Sequence, residues 1–215
     1  MNILIIDDHP SMLAIVKELT QSQFSDANII TVTNAFDALR QLEDQAKEWK
    51  LVIVDLSIPK NEQNKATSET GLELLSEIMK LYKELNLMVY SSNIKVLVQI
   101  KQHIDQHQGG FTIVDKNAEI AEVKRRMQCS ADGYTITRDI RKGLELKPEW
   151  MAVLKLANEG LQDKAIAEKL HVTERAVRHY WSKLQDILEI YVEGEDKMNL
   201  RILTLKRARE EGLID

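Results

Sequence analysis

The sequence predicts an α/β fold, a doubly wound five-stranded parallel sheet, followed by a smaller all-α domain. Short aliphatic runs alternate five times with longer segments of helical spacing over about the first 125 residues, as in a parallel sheet with helices on both faces. After Lys116 no further strand pattern follows, and from Pro148 onward the apolar residues recur with helical spacing. The change from alternating strand and helix patterns to helix patterns alone predicts two domains.

Five apolar runs are predicted to be the strands. Four of them are almost continuous in aliphatic residues, as expected for strands that are covered on both faces. The runs are residues 3–6, 29–32, 51–54, 87–90 and 111–114. A last helix of this domain is predicted over residues 117–127, with Ile120, Val123 and Met127 facing inward.

Glycines and charges place the domain boundary after that helix. Residues 128–147 contain Gly133, Gly143 and several charged residues, so we predict a linker there. The predicted division is a sheet domain at 1–127, a linker at 128–147 and a helical domain at 148–215.

Four helices are predicted in the second domain. Their predicted ranges are 148–159, 163–170, 174–188 and 198–211. Thr173 is suited to cap the third of them, and Gly160 and Gly212 are suited to end the first and the fourth. The second and third of these helices, 163–170 and 174–188, are joined by a tight turn, and the later one has a basic outer face. This arrangement is typical of a helix-turn-helix.

Composition narrows the class of protein. The 215 residues are 44% hydrophobic with a net charge of −5, which disfavours a wholly basic nucleic-acid coat or a polybasic membrane binder. Cys129 is the single cysteine, so no intrachain disulfide can form. Acidic residues directly follow the apolar run at 3–6, which does not fit a secretory signal, and no run is long enough to span a membrane. We therefore expect a cytoplasmic protein without a membrane partner.

Charged and hydroxyl side chains follow four of the predicted strands. The first strand is followed by Asp7 and Asp8, the third by Asp55, the fourth by Ser91 and the fifth by Lys116. The carboxyl ends of parallel strands meet at one edge of a sheet, which is where such folds carry their sites. We expect these five residues to converge.

Carboxylates in this number repel one another unless a cation joins them. Oxygen ligands combined with a phosphate-handling role indicate Mg²⁺. A carboxylate can also accept a phosphoryl group, and we expect Asp55 to do so because it follows the central strand. Lys116 would supply positive charge and Ser91 a hydroxyl to the added oxygens.

The first domain resembles a response-regulator receiver domain. The resemblance rests on ILIIDDHP, LVIVDLSIP, VYSS and IVDK. It implies a flavodoxin-like fold, Asp55 as phosphoacceptor, Asp7 and Asp8 as metal-site acids and the carbonyl of Ser57 as a further ligand. It also implies that Ser91 and Lys116 contact the phosphoryl group.

Two departures from the receiver pattern stand out. Gly71 lies sixteen positions after Asp55, twice the separation usual in the family, and the extra residues coincide with the polar stretch 61–70. Ile113 occupies the position where the family commonly has an aromatic residue that moves on activation. We expect the stretch 61–70 to tune access to Asp55, or to be a passive solvated loop.

The second domain resembles the LuxR-type helix-turn-helix of NarL/FixJ-class regulators. The resemblance covers LKPEWMAVLKLANEGLQDKAIAEKLHVTERAVRHYWSKL. It implies that one face of the predicted third helix binds DNA, through Arg175, Arg178, His179, Ser182 and Lys183. Gln162 stands where a better helix cap is usual, and bulky Trp181 falls on the apolar stripe, so we expect Trp181 in the core.

Together the two resemblances imply a phosphorylation-controlled transcriptional regulator, with a sensor histidine kinase and double-stranded DNA as partners and no enzymatic activity beyond slow self-phosphorylation and self-dephosphorylation. One alternative is a phosphorylation-independent DNA binder whose first domain serves dimerisation or ligand sensing. A signalling relay or phosphatase-like enzyme is disfavoured because no second catalytic constellation follows. We expect a homodimer, paired through Met198, Ile202 and Leu205 of the last helix or through the region of Ile94, Leu97, Val98 and Ile100. The alternative is that the apolar strip of the last helix packs only within its own domain.

Overall fold

The computed structural model describes residues 1–44, 48–137, 146–190 and 199–214. The chain divides into two compact units, Met1–Ile140 and Arg141–Asp215. The break between them falls inside the stretch 128–147 that the sequence suggested as a linker. Residues 138–145 of that stretch lie outside the described residues.

The first unit is a parallel sheet with helices between successive strands. Its strands are β1 (Asn2–Ile6), β2 (Asn28–Val32), β3 (Trp49–Val54), β4 (Leu87–Ser91), β5 (Phe111–Asp115) and β6 (Thr135–Ile136). Its helices are α1 (Pro10–Gln23), α2 (Ala35–Leu42), α3 (Ser68–Leu81), α4 (Lys101–Gln106) and α5 (Ile120–Ala131), with a 3-10 helix at Ile94–Ile100. The strand order is β2-β1-β3-β4-β5-β6, and all pairs are parallel. The doubly wound fold is confirmed.

Continuous apolar sequence produces the central strands. The side chains of Ile3–Ile6, Leu51–Val54 and Leu87–Val89 are buried almost completely, because helices cover both faces of the sheet. Most of the observed strands differ from the predicted ones by at most one residue at either end, whereas β3 begins two residues earlier than predicted. The first unit therefore has one core on each side of a buried sheet.

The end of this unit differs from the prediction. Helix α5 begins three residues later than predicted and continues to Ala131, and Ile120 at its first position is 61% exposed, so the prediction of an inward Ile120 is wrong. Val123 and Met127 are buried as predicted. The short strand β6 then pairs with β5. Residues 128–136, which were predicted to be part of a linker, therefore belong to the first unit, as the end of α5 and an added strand of the sheet.

Strand β6 is held by a hydrogen bond from an α5 side chain as well as by the sheet. Arg126 is almost fully buried; its Nε donates to Glu122 at 2.6 Å and its guanidinium reaches the carbonyl of Ile136 at 3.5 Å. Arg125 and Arg126 both bond to Glu122 and lower the pKa of that carboxyl to about 2. A strand of two residues is too short to show an alternation of polar and apolar side chains, so β6 could not be predicted from the sequence. The hydrogen bond from Arg126 to Ile136 is likewise evident only from the structure.

The polar stretch 61–70 is mostly solvated, as predicted, but its last part is helical. Helix α3 begins at Ser68, three residues before Gly71, and the Thr67 side chain caps it by accepting from Thr70 N–H at 3.2 Å. Thr67 also pairs with Ile58. Gly71 packs so closely that a Cβ there would lie 1.9 Å from the carbonyl oxygen of Leu56.

The second unit contains four described helices. They are α6 (Pro148–Asn158), α7 (Asp163–Lys169), α8 (Glu174–Ile187) and α9 (Leu200–Glu210). Thr173 caps α8 as predicted, and Gly160 and Gly212 have the positive φ angles of helix-ending residues. Met198, predicted at the start of the last helix, lies outside the described residues.

His107 makes the stability of the first unit depend on pH. Its Nε2 hydrogen bonds with the Leu85 carbonyl at 2.8 Å, which requires the proton on Nε2, and among the described residues no partner reaches the buried Nδ1. Burial lowers the pKa of His107, although the Leu85 carbonyl partly opposes the shift. A lowered folded-state pKa means that the unfolded chain binds the proton more readily, so stability is present above the ordinary pKa of about 6.5 and is lost as pH falls below it.

We therefore expect the free energy of unfolding to fall between pH 7.5 and pH 5.5 in the wild type and to fall less in His107→Gln. Urea denaturation at both pH values measures this. His103→Gln, at an exposed position of α4, is the control and should keep the wild-type dependence. Equal pH dependence in the wild type and His107→Gln would show that His107 is not the titrating group.

Candidate functional site

The sequence-predicted acids lie together at the carboxyl ends of β1 and β3. Asp7 and Asp55 are 2% and 3% exposed. Ligand atoms of Asp7, Asp8, His9 and Asp55 lie within 4.8 Å of one another. Asp7 and Asp8 follow β1 directly and Asp55 follows β3, and β1 and β3 are neighbours in the sheet. Strand adjacency thus places three carboxylates in one spot.

Lys116 joins two of these carboxylates. It follows β5, and its Nζ donates to Asp55 Oδ2 at 2.7 Å and to Asp7 Oδ2 at 2.6 Å. Burial alone would lower the pKa of Lys116, but the hydrogen bonds and charges of Asp55 and Asp7 outweigh burial, so its pKa is raised. Lys116 therefore stays charged, and part of the repulsion between the two acids is compensated.

The other Asp55 oxygen faces the backbone of the following turn. The N–H of Ser57 donates to Asp55 Oδ1 at 3.3 Å, and the His9 N–H donates to Asp7 Oδ1 at 2.9 Å. These bonds orient the carboxylates. The role of the Ser57 carbonyl as a metal ligand stays a prediction.

Ser91 ends β4, between the strands that precede Asp55 and Lys116. It is fully buried, its carbonyl accepts from the Lys116 N–H at 3.2 Å, and its hydroxyl accepts from the Asn93 N–H at 3.4 Å. In this structure its hydroxyl is thus bonded to its own turn.

His9 belongs to this cluster and was not among the predicted site residues. Its Nδ1 lies 2.6 Å from Asp8 Oδ1 and 3.5 Å from Asp7 Oδ1. The signal was present in the sequence, because His9 directly follows the acidic pair. Clustered carboxylates and a nearby imidazole fit a divalent cation, and Mg²⁺ suits the oxygen-rich part of the set.

The residues predicted to bind DNA lie on α8. Arg175, Arg178, His179 and Ser182 are exposed. Lys183 is half-buried and lies 3.6 Å from Asp186. Val177, Trp181 and Leu184 of the same helix are buried, so the helix has one face in the core and one basic face in solvent.

Trp181 is part of the core, as predicted, and it connects three helices. Its Nε1 donates to Asp163 Oδ1 at 3.1 Å, and the Arg201 guanidinium lies 5.1 Å from the centre of its ring. Arg201 also donates to Asp163 at 2.9 Å and to the Leu161 carbonyl. Arg201 therefore fastens α9 to the start of α7, where Gln162 gives no side-chain cap.

Comparison with known proteins identifies the class. Residues 3–128, more than half of the chain, match the response regulator receiver domain family, so the chain belongs to that family.

Its relatives extend beyond that domain. The chain is 25% identical over 203 residues to the DNA-binding transcriptional activator EvgA of Escherichia coli (strain K12), covering 88% of this chain and 92% of that protein. It is 24% identical over 197 residues to the putative positive transcription regulator BvgA of Bordetella pertussis, covering 85% and 88%.

Solved structures show the same fold. The RcsB response regulator of Salmonella typhimurium is similar with a TM-score of 0.62 at 20% identity, covering 97% of this chain and 99% of that chain. A structure of the RcsB–DNA complex is similar with a TM-score of 0.60 at 20% identity, covering 97% and 98%. Within the described residues, no helix is both long and apolar enough to cross a bilayer.

Without Lys116, the repulsion between the Asp7 and Asp55 carboxylates should destabilise the protein. We expect Lys116→Met to lower the free energy of unfolding by about 3 kcal/mol without divalent cations, because two buried carboxylates lose their partner. Added Mg²⁺ should recover part of the loss. Lys101→Met, which removes a lysine paired with Asp105 on α4, should cost less than about 0.5 kcal/mol. A Lys116→Met protein as stable as the wild type without Mg²⁺ would contradict this account of the site.

Proposed function

We propose that the protein is a phosphorylation-controlled, DNA-binding transcriptional regulator that accepts a phosphoryl group on Asp55 from a sensor histidine kinase of a two-component system. The observation that carries this proposal is the half-buried Lys116 ammonium, within 2.7 Å of both the candidate acceptor Asp55 and the acid Asp7. Membership of the receiver family supports it. So does the similarity to EvgA, a DNA-binding transcriptional activator, and to RcsB in complex with DNA.

Phosphoryl transfer would form an O–P bond at Asp55 and break the N–P bond of a phosphohistidine, whose imidazole takes up a proton. Asp7, Asp8 and Asp55 would hold Mg²⁺, which neutralises charge on the transferring oxygens. Lys116 is placed to donate to a phosphoryl oxygen after the O–P bond forms. Ser91, at the end of the neighbouring strand, would supply a hydroxyl. Positioning and charge suffice for this chemistry, so we propose no enzymatic activity beyond slow self-phosphorylation and self-dephosphorylation.

The second unit would carry the output. We propose that the exposed face of α8 enters the major groove, with Arg178 reading base edges and Arg175 or Lys183 holding phosphates. A two-fold dimer that reads two half-sites fits a single short recognition helix. Such a regulator would act in the cytoplasm.

One observation favours a second candidate, a DNA binder that does not need phosphorylation. Ile113 stands where the family commonly has a mobile aromatic residue, and here it is an aliphatic side chain buried in the core. An acidic site with no such residue to move could serve dimerisation or ligand sensing instead.

We expect Asp55→Asn to abolish labelling by acetyl phosphate, and we expect wild-type labelling to require Mg²⁺, because the amide cannot form the acyl phosphate. Mass spectrometry of the intact protein measures the added phosphoryl group. Asp26→Asn, at an exposed position, should label like the wild type. Full labelling of Asp55→Asn would remove Asp55 as the acceptor.

We expect Arg178→Ala to weaken binding to a specific DNA fragment by about tenfold or more, the cost of losing one base contact. Lys206→Ala removes an exposed lysine of α9 and should change the affinity much less. Mobility-shift titration at fixed salt measures both. Equal effects of the two variants would indicate that α8 does not read the bases.

The dimer surface can be tested at Ile202 on α9. Ile202 is 64% exposed. On the alternative surface Leu97 and Val98 are buried, whereas Ile94 and Ile100 are half-buried. We expect Ile202→Asp to weaken dimers bound to DNA while leaving the melting temperature nearly unchanged. Sedimentation of the protein–DNA complex gives the stoichiometry, and unchanged dimers in the variant would exclude α9 as the interface.

A further inference from the structure

A hydrogen bond ties the polar stretch 61–70 to the turn that follows β4. The side-chain amide of Asn93 donates to the hydroxyl of Ser68 at 3.1 Å. Ser68 is the first residue of α3, and Asn93 directly precedes the 3-10 helix. Both side chains are half-buried, so the bond is partly shielded from water.

The same turn carries Ser91, the candidate contact of a phosphoryl group. The N–H of Asn93 donates to Ser91 Oγ at 3.4 Å. The bonding of the Ser91 hydroxyl is thus local to this turn. The hydroxyl accepts this bond, so its own proton stays free to donate to a phosphoryl group on Asp55. Such a contact would draw the Ser91–Asn93 turn towards Asp55.

Ser68 is a firm anchor for that turn. Thr67 before it is fixed by a hydrogen bond to the Ile58 carbonyl at 3.1 Å and by its capping contact with Thr70. Three residues further, Gly71 rests directly against the backbone of Leu56. The start of α3 is thus held on both sides of Ser68, and movement of Asn93 must break the tie.

We propose that Ser68 is a positioning residue of the phosphorylation site, whose hydrogen bond to Asn93 stabilises the resting arrangement of the Ser91–Asn93 turn and opposes the one that contacts a phosphoryl group. This inference rests on the proposed function of Asp55. A bond present in one of two states lowers the apparent affinity of a ligand that selects the other state. The extra residues between Asp55 and Gly71 would then raise the threshold for activation.

Beryllofluoride, which stands in for a phosphoryl group on Asp55, tests the proposal in the full-length protein. We expect Ser68→Ala to bind beryllofluoride about fivefold more tightly than the wild type at fixed Mg²⁺, the equivalent of one hydrogen bond. Ser68→Thr keeps a hydroxyl and should stay near the wild-type affinity. Ser76→Ala removes another hydroxyl hydrogen bond of α3, the one with His103 at 3.3 Å, which does not involve the Ser91–Asn93 turn, and should leave beryllofluoride binding unchanged. Isothermal titration calorimetry gives the affinities.

Hydrogen exchange of the resting protein supplies a second measurement. Amides of residues 91–100 should exchange several-fold faster in Ser68→Ala than in Ser76→Ala, because the tie is gone before any ligand is present. Unchanged or weaker beryllofluoride binding by Ser68→Ala, unchanged exchange, or a Ser68→Thr variant that behaves like Ser68→Ala would each overturn the role of Ser68. A wild type that binds no beryllofluoride would instead overturn the proposed function of Asp55.

Discussion

The contact of the Lys116 ammonium with two buried carboxylates is the interaction on which the candidate site depends. Asp7 and Asp55 are almost inaccessible to solvent, and two such charges side by side are costly without a cation. Lys116 supplies one positive charge from the end of β5, across β4 from β3. The remaining negative charge is what a divalent cation or an electrophilic phosphoryl group would meet. The stability of the resting protein and the chemistry proposed for it thus have the same origin.

The sheet makes this contact possible. Parallel strands β1 and β3 lie side by side, which brings the acids that follow them together, and the buried core fixes the register of both strands. A short acid cannot reach far, whereas the long lysine side chain can cross one intervening strand. The end of that intervening strand, β4, is where Ser91 lies. The short Asp7 therefore follows the strand next to that of Asp55, and the long Lys116 follows a strand two places away.

The second unit uses a similar arrangement for another purpose. Asp163 accepts from both Trp181 and Arg201, so one carboxylate connects α7, α8 and α9. The opposite face of α8 is fixed because Val177, Trp181 and Leu184 are buried in the core, so its basic face is held in solvent in a defined orientation. Rigid presentation of a few side chains is what reading a groove requires, and Arg201 makes the last helix part of that support.

Much of this could be predicted from the sequence, because the strong patterns have direct physical causes. Nearly continuous apolar runs at residues 3–6 and 51–54, alternating with segments of helical spacing, are typical of buried parallel strands. The acids that follow such strands meet at one edge of the sheet. The weak patterns failed for physical reasons too. Strand β6 has two residues and is anchored by Arg126, and Ile120 sits at a helix start, where a side chain need not face the core.

The missed parts of the site depend on contacts between distant residues. The bond between Ser68 and Asn93 joins positions 25 residues apart, and nothing in their spacing indicates it. Helix α3 begins before Gly71 because Thr67 caps it and pairs with Ile58, a cap that the polar composition of residues 61–70 concealed. His9 could have been included from its position beside the acidic pair.

Control of DNA binding by the acidic site is the central claim, and its most direct test compares the affinity of the full-length protein for a genomic DNA fragment with and without Mg²⁺ and beryllofluoride. A mobility-shift titration of the wild type should show binding that is about tenfold tighter with both present, within the range of coupling free energies between two sites. Asp55→Asn should show no such gain. Equal wild-type affinity under both conditions would contradict control by phosphorylation and favour a DNA binder that acts without it.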